Sequence, residues 1–402
     1  MKLISYAKSC EELETLVRCG VDEVLLGHRA LARLGSVDSL VLTELALHAQ
    51  KLGIRAVLEW DVLMTRAQFD CAIGVLNELN LNLFQAIRVQ DAGAFEYVLS
   101  NIPDCPIQLN LETGNHNLEA IQRWCSYGGD RLERIILSSQ LPKNRLAHDI
   151  QNISMPVEVL GLGPILLLYT PRHLLSNQQQ TQSEARISID DTLQALASGE
   201  ESFHSGFRVI ENQQGTLIFH AKDYCLLDQM AELELMGLGA LRVDFRLEDS
   251  NARMVEAAQI VRSCQAQAAG QTGQSVGEMA QSFIEGHPRK VTRCFFQANA
   301  TDVLFKKLKN SRIQRKDAGY VGKVMEISRG SHLIIEVLGK GISVKKGQTL
   351  KLINPEGEEK LHVVVSLRDI DLHEVDEIVQ GDFAVLPYIK LVPPRSVVYL
   401  DP

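Results

Sequence analysis

Short apolar runs rich in β-branched residues alternate with segments of helical period over the first 265 residues. The strand candidates are Leu3–Tyr6, Glu23–Leu26, Ala56–Val62, Ala86–Val89, Ile107–Leu111, Arg134–Ser138, Val157–Gly161 and Leu241–Phe245. Between most of them, apolar residues recur at the i, i+3, i+4 spacing of an amphipathic helix, as in VDSLVLTELALHAQKLG, which ends at Gly53. Eight strand–helix alternations predict an α/β fold, most simply a (β/α)8 TIM-like barrel over residues 1–265.

The pattern changes after the seventh strand candidate. VLGLGPILLLYTPRHLLS, from Val159 to Ser176, is apolar, but it is shorter than the ~20 apolar residues that a membrane-spanning helix needs. We interpret it as the seventh barrel strand followed by a packed apolar loop. A hairpin, FRVIENQQGTLIFHAKD with its turn near Gly215, then replaces the expected helix and predicts an insertion at about 177–225.

A second change of pattern indicates a domain boundary. QAQAAGQTGQSVG is small, polar and glycine-containing, which predicts a linker over residues 266–285. Beyond it, runs such as VGKVMEIS, HLIIEVL and FAVLPYIKLV alternate with turn signals such as Arg329-Gly330 and Pro355-Glu356-Gly357. This arrangement predicts a small C-terminal all-β barrel domain of about six strands over residues 286–402.

Composition excludes several classes of protein. A hydrophobic content of 45% in 402 residues supports a real core and argues against disorder. The start, MKLISYAKSCEELETL, turns polar at Lys8 and has no long apolar core, which favours a cytosolic protein over a secreted one. The eight cysteines include no CxxC pair, so neither a zinc knuckle nor a thioredoxin-type pair is indicated. No membrane partner is expected.

The net charge of −9 is unevenly distributed. Residues 286–316 contain a single acid, Asp302, among nine basic residues. These are Arg289, Lys290, Arg293, Lys306, Lys307, Lys309, Arg312, Arg315 and Lys316. Such asymmetry can mark a surface for RNA phosphates, and the alternative is a solvated face at a domain junction.

Polar residues follow the predicted strands at their carboxyl ends, which form the working face of a TIM-like barrel. The candidate catalytic residues are Glu59, Asp61, Glu112, Asp244 and Arg246. The candidate substrate-binding residues are Arg88, Gln90, Asn110, Ser138, Gln140 and His173. Clustered carboxylates could serve as acid–base groups or bind a divalent metal such as Mg²⁺, and arginine could bind an anion. The alternatives are internal salt bridges that close the mouth and, for His173, a purely structural role.

Several segments, in this order and spacing, resemble one known family. They are GVDEVLLG (Gly20–Gly27), LGIRAVLEWDV (Leu52–Val62), IQLNLETGNHN (Ile107–Asn117), RIILSSQL (Arg134–Leu141), GTLIFHAKDYC (Gly215–Cys225) and ALRVDFR (Ala240–Arg246). With them the chain resembles peptidase family U32, the collagenase-like peptidases, over nearly its whole length. The resemblance implies hydroxylation of RNA bases in transfer or ribosomal RNA, or of ubiquinone precursors, by proteins that hold a four-iron four-sulfur cluster on four cysteines.

The residues that the resemblance assigns to the cluster are mostly lost here. The family's histidine and its first two cysteines correspond to Leu162, Leu166 and His173, and NQQQTQSEARIS offers no third cysteine. Only Cys225 is retained, and the resemblance makes its neighbours Lys222 and Asp223 further candidate substrate-binding residues. Leucine cannot donate to iron, so no iron–sulfur cofactor is expected, whereas a divalent metal at the carboxylate ring stays open.

Three functions remain open from the sequence. The first is a cluster-free enzyme or ligand-binding barrel, related to RNA hydroxylation proteins, that contacts RNA through the basic segment 286–316. The second is a genuine peptidase that uses a metal on the ring carboxylates. The third is a non-catalytic paralogue that partners a cluster-bearing homologous subunit.

Overall fold

The structure is a computed structural model. It describes residues 1–113, 117–177, 192–198, 205–248, 251–268, 275–293, 295–297, 319–339, 341–354 and 358–401. The chain divides into two compact units, Met1–Asn299 and Ala300–Pro402. This division lies downstream of residue 286, where the sequence predicted that the C-terminal domain begins.

Eight parallel strands close into a barrel in the first unit, which confirms the predicted TIM-like fold. The described strands of this unit are β1 (Lys2–Tyr6), β2 (Glu23–Gly27), β3 (Arg55–Trp60), β4 (Ala86–Val89), β5 (Ile107–Asn110), β6 (Leu132–Ile136), β7 (Val157–Thr170), β8 (Leu193–Ser198), β9 (Ser205–Asn212), β10 (Gly215–Cys225), β11 (Ala240–Val243) and β12 (Val291–Thr292). Strands β1 to β7 pair in order, and β11 pairs in parallel with both β7 and β1. The barrel is therefore closed by β11.

Helices follow most barrel strands. The described helices are α1 (Cys10–Arg18), α2 (Ser39–Leu52), α3 (Arg66–Glu78), α4 (Ala92–Asn101), α5 (Leu118–Gly128), α6 (Lys143–Asn152), α7 (Met230–Leu235), α8 (Asn251–Ala268) and α9 (Val276–Glu285). Polar side chains fix where they begin: Ser9, Asp38 and Thr65 each accept a hydrogen bond from an amide of the first turn. Gly53 ends α2 with φ 73°, a left-handed conformation that favours glycine.

The prediction of an apolar loop after Gly161 is wrong. Strand β7 continues to Thr170, and its second half pairs antiparallel with β10. The ladder hydrogen bonds of this pairing satisfy backbone groups that a loop would leave open. The predicted hairpin is present as β9 and β10, with its turn just before Gly215, and β8 adds an edge strand that the sequence analysis missed.

The predicted linker is largely helical in the described residues. Helix α8 extends to Ala268, and α9 covers 276–285 and packs against α8. The small, polar run over residues 265–277 concealed the end of α8 and the start of α9, whose buried residues are Ala280 and Phe283. None of the described helices is both long and apolar enough to span a bilayer.

The described residues of the second unit are all-β, as predicted. Its described strands are β13 (Tyr320–Ser328), β14 (His332–Val337), β15 (Ser343–Lys345), β16 (Thr349–Ile353), β17 (Glu359–Val363), β18 (Glu377–Val379), β19 (Phe383–Pro387) and β20 (Val397–Leu400). Six of them form one antiparallel sheet in the order β17-β16-β20-β13-β14-β19, and β15 pairs with β18. Alternating residues such as Leu333, Ile335 and Val337 on β14 build its core.

Candidate functional site at the barrel mouth

Charged side chains fill much of the barrel interior. Glu158 on β7 is fully buried and accepts hydrogen bonds from Arg88 at 2.7 and 2.5 Å and from Arg134 at 3.3 Å. Arg134 also donates to Glu23 at 2.6 and 2.9 Å. Branched aliphatic residues usually fill such an interior, so this barrel has an unusual ionic core.

Arg88 lies in this ionic core and not at the mouth, where the sequence analysis placed it. Its side chain is completely buried, and besides Glu158 it contacts the amide oxygen of Gln108 at 2.8 and 3.1 Å. The strand-end argument was imprecise because β4 is only four residues long and Arg88 points inward from it. Gln90, just past the end of β4, reaches the Thr113 hydroxyl instead.

The candidate catalytic carboxylates do meet at the mouth, and two of them pair with arginines that the sequence analysis missed. Asp61 accepts hydrogen bonds from the Arg33 backbone amide at 2.7 Å and from its Nε at 2.8 Å. Glu112 pairs with Arg242. Strand alternation could have identified Arg242, which lies two residues before Asp244, whereas no pattern marked Arg33 in the loop after β2.

Arg246 joins the other two carboxylates. It donates to Asp244 at 2.8 Å and to Glu59 at 3.0 Å, and its guanidinium lies 3.4 Å from the centroid of the Tyr6 ring. The Tyr6 hydroxyl donates to Glu59 at 3.1 Å. Gly163, at φ 146°, passes so close that a Cβ there would lie 2.9 Å from Asp244.

The acids at the mouth have unequal proton affinities. Burial would raise the pKa of Asp61 and Asp244, but Arg33 and Arg246 respectively hold it below its usual range. Burial also raises the pKa of Glu59, and the negative charge of Asp61 adds to this effect, so the pKa of Glu59 stays raised despite Arg246. When the pKa values of neighbouring carboxyls differ in this way, the one with the raised pKa, Glu59, can serve as a proton donor. Asp61 and Asp244, with lowered pKa values, stay ionised.

Two cavities open at the mouth. The larger, about 480 Å³, is lined by Glu59 and by polar groups of the β1–α1 loop and the hairpin, including Lys8, Ser9 and Asn212. The smaller, about 160 Å³, is lined by residues from the other side of the barrel. These include Arg33, Asp61, Glu112, Ser138, Gln140 and Asp244. Tyr6 and Arg246 line both cavities, so their stacked side chains form the boundary between them.

The remaining predicted substrate-binding residues are divided between the mouth and other surfaces. Asn110 is buried and accepts the amide hydrogen of Glu112 at 3.0 Å, which positions that acid. Ser138 is buried and Gln140 exposed, both at the smaller cavity. His173 lines neither cavity and lies 3.8 Å from Glu211, and Lys222 is exposed.

The basic segment is only partly described. Arg289 pairs with Asp223 at 3.1 Å, Arg293 pairs with Asp228, and Lys290 is exposed. The other predicted RNA contacts lie outside the described residues. They are Lys306, Lys307, Lys309, Arg312, Arg315 and Lys316.

The residues do not fit an iron–sulfur cluster, which proteins hold on four thiolates or on thiolates supplemented by histidine. Cys225 is buried and lies directly opposite Leu162 in the β7–β10 pairing, and Leu166 lies opposite Phe219. Burial raises the pKa of the Cys225 thiol to about 11, so it stays protonated at neutral pH. The third cysteine would fall in 177–188, of which only residue 177 is described and which contains no cysteine.

Comparisons with known proteins identify relatives of this chain. The tRNA hydroxylation protein P1 of Bacillus subtilis (strain 168) is 18% identical over 383 residues, which cover 93% of this chain and 88% of the relative. The tRNA hydroxylation protein P2 of the same organism is 21% identical over 146 residues, which cover 35% and 45%. The solved U32 peptidase Mk0906 is 12% identical and has a TM-score of 0.35 over 41% of this chain and 70% of its own. The profile of peptidase family U32 matches residues 8–304. The chain therefore belongs to peptidase family U32.

Proposed function

We propose that this chain acts in tRNA base hydroxylation as a cluster-free, ligand-binding barrel. The observation that carries the proposal is the contrast between the two halves of the site. The mouth keeps a polar cavity of about 480 Å³ beside Glu59 and Arg246. Leu166 and His173 meanwhile take the places where the resemblance puts the first two cluster cysteines. Two relatives of this chain are tRNA hydroxylation proteins, which supports tRNA as the substrate.

The mouth suits binding and proton transfer better than electron transfer. Glu59, with its raised pKa, borders the larger cavity and can hold or give up a proton to a ligand there. Lys8, Ser9 and Asn212 offer hydrogen bonds around it. Any redox step would then require a second component, because the one retained thiol, Cys225, is buried and protonated.

The geometry gives no comparable support to proteolysis. Among the described serine and threonine residues that line the two cavities, no hydroxyl hydrogen-bonds the side chain of a histidine or a carboxylate, the arrangement that activates such a nucleophile. Ser5, for example, donates to the Val243 carbonyl, and Ser138 accepts the Gln140 amide hydrogen. A peptidase function is therefore not proposed.

We expect the purified chain to bind tRNA in a salt-dependent manner through its basic segment. Replacing Lys306, Lys307 and Lys309 by alanine should weaken binding at low salt and reduce the slope of log K against log salt by about 2, because each phosphate contact contributes ~0.7–0.9. Filter binding from 50 to 200 mM salt measures both quantities.

A matched triple variant controls for the loss of three charges. Lys345, Lys346 and Lys351 lie in the all-β unit, and their replacement by alanine changes the net charge equally. If both triple variants weaken binding alike, or if the wild type binds no better than an acidic control protein, the proposed RNA contact is wrong.

We also propose, as a second candidate, that the chain pairs with a cluster-bearing member of its family. Two U32-type relatives from one organism, P1 and P2, both match this chain, which favours a system of two related proteins. Affinity purification of a tagged chain from its native cells should recover a second family member that has the four cysteines. Recovery of this chain alone, under conditions that preserve known complexes, contradicts the candidate.

A further inference from the structure

Three side chains with metal-binding atoms meet away from the carboxylate ring. Asp223 comes from the end of β10, Glu248 follows β11, and His287 follows α9. His287 Nε2 lies 3.3 Å from an Asp223 carboxylate oxygen and 3.5 Å from a Glu248 carboxylate oxygen. The side chains of His287 and Asp223 are 1% and 5% exposed and that of Glu248 is 14% exposed, so the cluster is buried except on the Glu248 side.

The distances within the cluster are long for ion pairs. A charge-assisted N–H···O bond is usually about 2.7–2.9 Å. Two ligands on a tetrahedral Zn²⁺ ion, with bonds of about 2.0–2.1 Å, lie about 3.3–3.4 Å apart. The two separations at His287 match the second geometry more closely than the first.

The charges in the cluster also favour a cation. Asp223 and Glu248 bring two carboxylates together in a buried place, which is costly unless positive charge lies between them. Among the described residues, Glu248 Oε2 and His287 Nδ1 are buried and have no hydrogen-bond partner. Arg289 Nε lies 3.1 Å from Asp223, in the outer position from which a neighbouring residue orients a metal-binding carboxylate.

We propose that Asp223, Glu248 and His287 form a site for a divalent cation of the Zn²⁺ class. One imidazole nitrogen and two carboxylates suit Zn²⁺, Co²⁺ or Mn²⁺ better than they suit Mg²⁺ or Ca²⁺, which prefer ligand sets made of oxygen atoms alone. Glu248 also lines the larger cavity, so the cation would lie at the edge of that cavity. The cation would also link β10 to the segment that follows α9. The carboxylates of the ring are a poorer site because an arginine pairs with each of Asp61, Glu112 and Asp244, whereas in this cluster Arg289 pairs with Asp223 and not with Glu248.

Titration of the full chain, first stripped with a chelator, tests this proposal. We expect one equivalent of Co²⁺ to give visible d–d absorption and Zn²⁺ to displace it, with the Zn²⁺ affinity measured by calorimetry. Loss of a second-shell group alone costs about 10- to 100-fold in affinity, so His287→Gln and Glu248→Gln should each weaken binding by about 100-fold or more. Zn²⁺ should raise the melting temperature of the wild type and of neither variant.

His373→Gln is the matched control. Asp369, Asp371 and His373 are a second grouping of the same ligand types, but His373 and Asp371 are exposed. This variant should bind Zn²⁺ like the wild type, and circular dichroism should show that all three variants are folded. The proposal is overturned if the wild type binds no metal, which leaves an ion-paired histidine only, or if binding is lost in His373→Gln and kept in His287→Gln.

Discussion

Replacing Glu158 by alanine is expected to cost about 3–5 kcal/mol of the free energy of unfolding, because it leaves buried guanidinium groups without their counter-ion. Glu158 is fully buried and accepts three hydrogen bonds from Arg88 and Arg134. Arg242 lies 3.6 Å from it as well. Water could hydrate these guanidinium groups in place of the carboxylate only by entering the closed barrel interior.

Urea denaturation of the first unit at pH 7 measures this loss. Glu158→Gln keeps the volume and removes only the charge, so a similar loss in both variants assigns the effect to electrostatics. Asp70→Ala is the matched control, since it breaks the Arg66–Asp70 pair, whose partners are 84% and 54% exposed. Exposed pairs contribute about 0–1 kcal/mol. A loss below about 1 kcal/mol in Glu158→Ala would show that the ionic core does not stabilise the barrel.

The ionic core and the candidate site form one connected network. Glu23 pairs with Arg134, Arg134 contacts Glu158, and Glu158 lies within 3.6 Å of Arg242. Arg242 then pairs with Glu112 at the mouth. The orientation of the mouth residues consequently depends on charges deep in the barrel, so a change such as Glu158→Gln should alter ligand binding as well as stability.

The barrel was predictable because its signals are local. Apolar runs such as Ile107–Leu111 and the helical spacing of Ser39–Leu52 depend only on neighbours in sequence, and both elements are present. The extension of β7 to Thr170 was not, because its partner β10 lies about 50 residues further along the chain. An apolar segment alone does not show whether it pairs or packs as a loop.

The site was predictable only in part for a similar reason. Strand ends and alternation located Glu59, Asp61 and Asp244, since the carboxyl ends of the parallel strands meet at the mouth of the barrel. The arginine that pairs with each acid can come from a loop that folds back over the mouth, and the sequence does not show this. Arg33, in the loop after β2, pairs with Asp61 in this way. Resemblance to the family identified the missing cluster ligands, but only the structure shows that Cys225 is buried against Leu162.

We expect the free energy of unfolding to fall steeply as the pH falls below about 4.5. Burial would raise the pKa of Glu23 and Glu158, but Arg134 and Arg88 respectively lower it below the ordinary glutamate value of 4.5. The pKa values of Asp61 and Asp244 are likewise held below the ordinary aspartate value of 3.8, by Arg33 and Arg246 respectively. The unfolded chain therefore binds more protons than the folded chain in this range, so stability is present above the unfolded pKa and is lost as each folded pKa is crossed.

Glu59 has the opposite sign, because its pKa is raised in the folded state and its contribution grows as the pH falls towards 4.5. It is one group against at least four, so the loss dominates below that pH. Each depressed carboxyl contributes up to about 1.4 kcal/mol per pH unit within its window.

Urea titrations at pH 2.5, 3.5, 4.5 and 7 measure this acid limb. Glu158→Gln should make it shallower by about one proton, because glutamine cannot take up the proton that Glu158 accepts on acid unfolding. Asp70→Asn, which removes a carboxyl that is 54% exposed, should leave the limb unchanged. An identical limb in Glu158→Gln and wild type would mean that this carboxyl titrates alike in the folded and unfolded chains. The arginines around it would then not hold it ionised.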